Sequence, residues 1–348
     1  MLEKTSILVT GVGAPPGYNA AESLCNINNF RIVAADCNEF AAGHIIPGVM
    51  PVKLPSASES HKELYINSIL EIIKEQNIKY ILPCSEQESL ILSQSIQRLH
   101  EESNIIIITA HANLVWLGMD KLSTMIKCEE LKIRAPKTFL LNEHTLESEV
   151  LSFAEKLGYP LIIKPRIGQG SRGLILAHTT KELLGALQIC QSNGKDMLLQ
   201  EFIPGEINNV YTYGALVDNG NIIASTMHHK LATNSHIGGS ATAGILVNNN
   251  KFRQFAEDIF HKTGNWHGLI ALEAKRCAVT GEFFLMEINP RLWGFSALSR
   301  LAGLNFPYLA IEVAMGKKVK NCNTDAQAGF RALRRFIDTP ITSNISCY

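Results

Sequence analysis

The run Phe283-Phe284-Leu285-Met286-Glu287-Ile288-Asn289-Pro290-Arg291-Leu292-Trp293-Gly294 constrains this chain more than any other stretch. Its apolar first half is a strand. Alternate strand side chains share a face, so Glu287 and Asn289 project together, with Arg291 next in the alternation. Pro290 cannot donate to a ladder and marks where pairing stops. A carboxylate, an amide oxygen and a guanidinium therefore gather at a strand end, a set suited to a hard divalent cation beside a polyphosphate. The preceding run, Trp266 to Lys275, reads as a second strand, with Thr280-Gly281 as the turn between the two. An antiparallel hairpin centred near Thr280 puts Glu273 opposite Glu287, with Cβ atoms ~5 Å apart. Carboxylates that close repel unless protonated or bridged by cations. On its own, the same pattern also describes a surface hairpin with solvated acids.

The string Glu287-x-Asn289-Pro290-Arg291, with Glu273 on the strand before it, resembles the metal-binding end of the ATP-grasp ligases. That superfamily includes the carbamoyl phosphate synthetase large subunits, biotin carboxylase and D-alanine-D-alanine ligase. The Arg-Leu-Trp-Gly continuation is similar to its amino-acid and peptide ligases. The resemblance implies an α/β chain in three parts: an N-terminal Rossmann-like parallel-sheet domain over 1–112, an ATP-grasp domain over 113–316, and a C-terminal extension over 317–348. Within the second part it implies a small lid, about 125–200, and an antiparallel-sheet core, about 201–316. It implies ATP with magnesium or manganese as cofactors, the metal held by Glu273, Glu287 and Asn289. Arg291 is then expected to stabilise the transferring phosphoryl group.

Composition agrees with small-molecule chemistry. Thirty-two basic and 32 acidic side chains leave no basic footprint for nucleic acid and no polybasic membrane patch. With 348 residues, 46% of them hydrophobic, the chain can bury two or three cores. Its eight cysteines are scattered without Cys-x-x-Cys or zinc spacing, and read as reduced thiols. The longest apolar stretch, Ile105 to Leu117, is too short for a membrane span, and no signal peptide is visible. A cytoplasmic protein is expected, with a homodimer as the expected assembly.

Near the start, strand Ser6–Thr10 breaks at Gly11-Val12-Gly13-Ala14-Pro15-Pro16-Gly17, followed by a helix from Tyr18 to Ile27 and a strand from Arg31 that ends at Asp36. A dinucleotide-binding turn is one reading. Its spacing is Gly-x-Gly-x-x-x-Gly, however, with paired prolines in the turn. Helix Lys62–Gln76, strand Tyr80–Pro83, helix Glu88–His100 and strand Ile105–Thr109 continue a parallel α/β alternation. Pro83-Cys84-Ser85-Glu86 is similar to the family's strand-end loop near the non-nucleotide substrate.

Asp120-Lys121 opens a helix. By itself Lys121 could be an ordinary surface lysine, but the family's equivalent helix opening reaches the nucleotide phosphates. Strand Pro160–Pro165 carries Lys164, and Gly168-Gln169-Gly170-Ser171-Arg172-Gly173 follows as a glycine loop able to bring backbone N–H groups close to phosphate. A ligand-free glycine hairpin fits the same residues. The resemblance makes Lys164 a contact to the α- and β-phosphates, and makes the loop, with Gly170 and Ser171, a lid over the γ-phosphate.

The run Gln200-Glu201-Phe202-Ile203 resembles the hinge whose main chain binds the adenine edge, with Glu206 on the ribose hydroxyls. The alternative is a connecting strand with an exposed Glu206. Asp218-Asn219-Gly220 is a strong hairpin turn. Lys230 to Gly244 reads as a long polar loop beside the acceptor pocket, with Lys230 near phosphate, and His228, His229 and His236 either solvated or catalytic. Further helices are expected over Lys251–Gly264, Leu298–Ala302 and Pro307–Met315, and a last strand over Phe330–Ile337.

The resemblance implies an ATP-dependent carboxylate-amine ligase that joins a small-molecule carboxylate to an amine through an acyl phosphate, since Lys121, Lys164, Glu201, Glu273 and Glu287-x-Asn289-x-Arg291 occur in the family's order and approximate spacing. One departure is Ala271, two residues before Glu273, where several relatives carry Arg or Asn. Carboxyphosphate chemistry and a non-catalytic ATP-binding module are the alternatives.

Overall fold

Two hydrophobic rhythms in the chain produce two kinds of sheet. The computed structural model describes residues 4–235, 238–335 and 337–340. Near-continuous apolar runs form a parallel sheet of β1 (Thr5–Thr10), β2 (Phe30–Asp36), β3 (Val49–Lys53), β4 (Ile78–Leu82) and β5 (Ile106–Ile107), in the order β3-β2-β1-β4-β5. Both faces are covered by helices, as such runs require. Helix Lys62–Gln76 has the predicted bounds, buries Ile66, Ile69, Ile72 and Ile73, and ends on Asn77 in the left-handed region. The strand order reverses between β1 and β4, so the loops at Gly11 and Ser85 flank the crevice where open α/β sheets bind ligands.

A small sheet follows, of β6 (Thr138–Leu141), β7 (Leu161–Pro165), β8 (Ile175–Ala177) and β9 (Met197–Glu201), in the order β6-β9-β7-β8. Two helices, Glu147–Leu157 and Thr180–Asn193, bury Val150, Ala154, Leu183 and Leu187 against it.

The third sheet holds β10 (Val210–Asp218), β11 (Asn221–Ser235), β12 (Gly238–Leu246), β13 (Gly268–Arg276), β14 (Phe283–Asn289), β15 (Cys322–Asn323) and β16 (Arg331–Leu333). Its order is β14-β13-β10-β11-β12-β16, with β15 pairing on β11. Neighbours on the main path are antiparallel. Tyr213, Phe252, Phe260 and Trp266 fill one side, where helix Asn250–Thr263 lies. On the other side Leu292, Trp293 and Phe306 join Val9, Val12 and Ala41 of the first domain in one continuous core.

Several expectations are corrected. The segment from Lys230 to Gly244 is mostly strand: β11 runs on to Ser235 and β12 begins at Gly238, with irregular register between them. His236 lies outside the described residues, as does Phe336 within the expected last strand. His228 is neither solvated nor in a loop; it is buried on β11 beside Phe295. The first helix starts at Pro15, because proline is tolerated in a first helical turn where its missing N–H has no partner to lose. The helix expected over Glu88–His100 is two helices, Glu86–Gln94 and Ile96–Ser103, parted at Ser95. Edge strand β3 contains Pro51, which hid it from a pattern reading. Among the described residues no helix is long and apolar enough to cross a membrane.

Candidate active site

Strands β13 and β14 pair antiparallel with Glu273 directly opposite Glu287 and Ala271 opposite Asn289. A register shift follows immediately after the Glu273 pair, a bulge of the kind that re-aims side chains near sites. Asn289 Nδ2 donates to Glu287 Oε1 at 3.1 Å, and Arg291 Nη2 donates to Asn289 Oδ1 at 2.9 Å. Arg291 Nη1 donates to Leu292 O at 3.1 Å. The helix Ala112–Met119 closes against this strand end: a Cβ on Gly118 would lie 2.9 Å from Pro290 Cδ.

Three lysines surround the carboxylates. Lys230 Nζ lies 2.8 Å from Glu273 Oε2 and also donates to Gly239 O at 3.0 Å. Lys121 and Lys164 act on Glu287 through charge. Burial pushes Glu273 up, against the pull of Lys230. Burial would raise Glu287 as well, but Lys121, the Asn289 amide and Lys164 outweigh it and hold that carboxyl below its usual range. Desolvation pulls the Lys164 ammonium down to about 8, with Glu287 opposing. His228 is pulled down to about 3 by burial and the Lys230 charge, so it is neutral near pH 7.

The donor set fits a hard divalent cation, since two carboxylates and an amide oxygen share one strand pair. Among the described residues no group of three or more His, Cys, Asp or Glu side chains is assembled. The protein's share of a magnesium shell would therefore be Glu273, Glu287 and Asn289, leaving room for phosphate oxygens and water, as magnesium prefers.

The β6–β9 sheet is tied to this centre at its base. Arg166, just past β7, grips Asp120 with Nε on Oδ1 at 2.8 Å and Nη2 on Oδ2 at 2.7 Å, while Nη1 reaches Asp196 at 2.9 Å. Asp120 caps the helix Lys121–Glu130 by accepting from Leu122 N. One clamp thus sets the helix that carries Lys121 against the strand that carries Lys164. Lys121 Nζ donates to Gly168 O in the glycine loop. Ser171 sits in the left-handed region at φ 58, Gly170 at φ 67, and a Cβ on Gly238 would come 2.9 Å from Ser171 Oγ. The loop therefore meets the first residue of β12.

Where the hinge is expected, Gln200 is buried, and its Nε2 donates to Thr138 Oγ1 at 2.7 Å. Glu201 exchanges two bonds with Lys137: its N–H donates to Lys137 O, and Lys137 N donates to Glu201 Oε2 at 3.1 Å. Ile203 is buried, and Lys275 Nζ lies 4.8 Å above the Phe202 ring. Glu206 is exposed at the start of a 3-10 turn, with Lys275 feeling its charge.

Sequence reasoning named the loop containing Glu86 but not its partner. Glu86 Oε1 lies 3.0 Å from Arg291 Nη2, with both side chains nearly buried. The Asp120–Arg166 clamp was also missed; its one signal was an N-capping Asp ahead of Lys121.

Two family models match the chain: one described as ATP-grasp in the biosynthetic pathway with Ter operon, over residues 193–335, and one as the carbamoyl-phosphate synthase L chain ATP-binding domain, over residues 120–207. A carbamoyl phosphate synthase large chain from Caldanaerobacter subterraneus subsp. tengcongensis is 30% identical over 212 residues, covering 58% of this chain and 19% of that one. A formate-dependent phosphoribosylglycinamide formyltransferase from Prochlorococcus marinus is 28% identical over 142 residues, covering 39% of this chain and 34% of that one. This chain thus spans a minor part of the relatives it matches. Among solved structures, N5-carboxyaminoimidazole synthetase from Staphylococcus aureus complexed with ADP matches with TM-score 0.73 at 16% identity, covering 92% of this chain and 80% of that one. The biotin carboxylase domain of Hydrogenobacter thermophilus 2-oxoglutarate carboxylase, solved with MgADP and bicarbonate, matches with TM-score 0.69 at 17% identity, covering 95% and 73%. In its fold and in these matches, the chain is similar to proteins of the ATP-grasp superfamily.

Proposed function

We propose that this protein is an ATP-dependent carboxylate-amine ligase that forms an amide bond and releases ADP and phosphate. The observation that carries the reading is the opposed Glu273–Glu287 pair, extended by Asn289 and Arg291 and faced by Lys121 and Lys164. Lys164 and Lys121 bind the phosphates, and the Gly168–Gly173 loop covers them and excludes water. Main-chain groups of Glu201, Phe202 and Ile203, on the strand that Gln200 anchors, take the adenine edge, and Glu206 takes the ribose. Magnesium on Glu273, Glu287 and Asn289 supplies charge neutralisation of the polyphosphate.

A substrate carboxylate oxygen attacks the γ-phosphorus, the bond to the β–γ bridging oxygen breaks, and ADP leaves. Positioning and charge compensation dominate such a transfer. Arg291 and Lys230 flank the position of the resulting acyl phosphate. An amine nitrogen then attacks the acyl carbon, loses a proton, and phosphate departs. The second reading uses bicarbonate as the carboxylate, giving carboxyphosphate; the similarity to carboxylase structures favours it. An ADP-release screen over amino-acid pairs and over bicarbonate with amines, with products read by mass spectrometry, separates the two. No ADP release above background with any of them, in a protein that still binds ADP, leaves a nucleotide-binding module.

A further inference from the structure

The N-terminal domain reaches into the nucleotide-metal centre through one carboxylate. Glu86 is the first residue of helix Glu86–Gln94, behind the Ser85 cap, and is only 5% exposed. Burial raises its carboxyl even though Arg291 opposes the shift, so an acid is held here at a cost. It faces two other parts of the molecule: Arg291, whose Nη2 lies 3.0 Å away in the core, and Gln169 of the glycine loop, which acts against the upward shift of its carboxyl.

The bonding order beyond it is fixed by what each group can do. Arginine only donates, and an ionised carboxylate only accepts. Arg291 Nη2, paired with Glu86 Oε1 at 3.0 Å, also donates to the Asn289 amide oxygen at 2.9 Å, which turns Asn289 Nδ2 onto Glu287 Oε1. Glu86 competes for Arg291 with Glu273, on which Arg291 also acts through charge, and the Glu287 charge bears on Glu86 in turn. Without Glu86, the guanidinium is free to fork onto those oxygens, the ones a cation needs.

On the proposed reading of this centre as a nucleotide-magnesium site, we infer that Glu86 is a positioning residue: it holds Arg291 off the Glu273–Glu287 pair and so keeps those carboxylate oxygens available to magnesium. It acts through Arg291 and needs no contact with substrate.

The test is calorimetric titration of the full chain with ADP at a series of Mg²⁺ concentrations, in wild type, Glu86→Ala, Arg291→Ala and the double variant. Glu86→Ala should raise the Mg²⁺ concentration for half-maximal ADP binding about tenfold, the scale of one lost charge-assisted hydrogen bond. ADP affinity without metal should not weaken. In the Arg291→Ala background the same substitution should do nothing, because the group it restrains is gone. A Glu86→Ala protein with wild-type Mg²⁺ dependence overturns the inference. An equal effect with and without Arg291 also overturns it, since that is direct electrostatics. If wild type itself binds ADP without any metal dependence, the nucleotide-magnesium reading fails first and takes this one with it. Should Glu86→Ala not fold, Glu86→Gln keeps the shape, removes the charge and carries the same comparison.

Discussion

Arg166 closes on both carboxylate oxygens of Asp120, at 2.8 and 2.7 Å, and Asp120 is wholly buried. A bidentate pair of this geometry fixes orientation as well as distance. Replacing Arg166 by Ala leaves a buried carboxylate uncompensated and should cost roughly 3 kcal/mol, read as a lowered urea midpoint. Asp120→Asn should cost less, because Arg166 keeps Asp196 and solvent.

Glu287→Gln keeps volume and the bond from Asn289 but removes the charge that Lys121 and Lys164 face. ADP release should fall by at least about a hundredfold, the scale of losing one preorganised electrostatic contact. A rate near wild type in this variant would remove the metal assignment.

The Lys164 ammonium, pulled down to about 8, makes nucleotide binding pH-dependent. Phosphates favour its charged form, so ADP affinity should be flat below about pH 8 and decline above it, by at most about tenfold per unit. Arginine stays charged, so Lys164→Arg should abolish the decline. Fluorescence titration from pH 6.5 to 9.5 reads the slope.

Glu88 reports on the fold and not on the chemistry. Burial pushes its carboxyl up from 4.5 to about 7, with the Ser85 hydroxyl opposing. An acid raised in the folded state contributes stability that is full below 4.5 and is lost as pH rises through about 7. Wild type minus Glu88→Gln, from unfolding at pH 4.5 and pH 7.5, should differ by about 3 kcal/mol, with wild type losing relative ground at the higher pH.

Gly214 lies under the Trp293 ring: an added Cβ would fall 2.5 Å from two of its carbons. The ring is buried and braced by Phe306 at 4.8 Å between centroids, so it cannot yield cheaply. Gly214→Ala should destabilise by about 1–3 kcal/mol, measured by chemical unfolding.

What could be read from the chain tracks how local the signal is. The Glu273–Glu287 register followed from one short hairpin and its turn, and helix Lys62–Gln76 from its own periodicity. The β11–β12 hairpin was illegible because Thr233 to Gly244 is small and polar on both faces, so no alternation marks it as strand. Glu86 and Arg166 were illegible as partners because each finds its charge on a distant element, and sequence spacing carries no trace of that. The Ala271 departure remains a real feature: it is buried opposite Asn289 and presents no charge.

The extension past residue 316 shows how far the nucleotide centre extends. Its strands complete hydrogen bonding along β11 and β12, pairing Ala332 with Gly244 and Cys322 with Ala224. From the same segment Arg334 donates to Gly294 O, three residues from Arg291, and lies 5.5 Å from the Phe295 ring. A truncation there would strip the outer edge from the hairpin that carries Lys230 and unpin the turn behind Arg291. The tail is thus a buttress, and catalytic defects from trimming it would arrive with no reacting group touched.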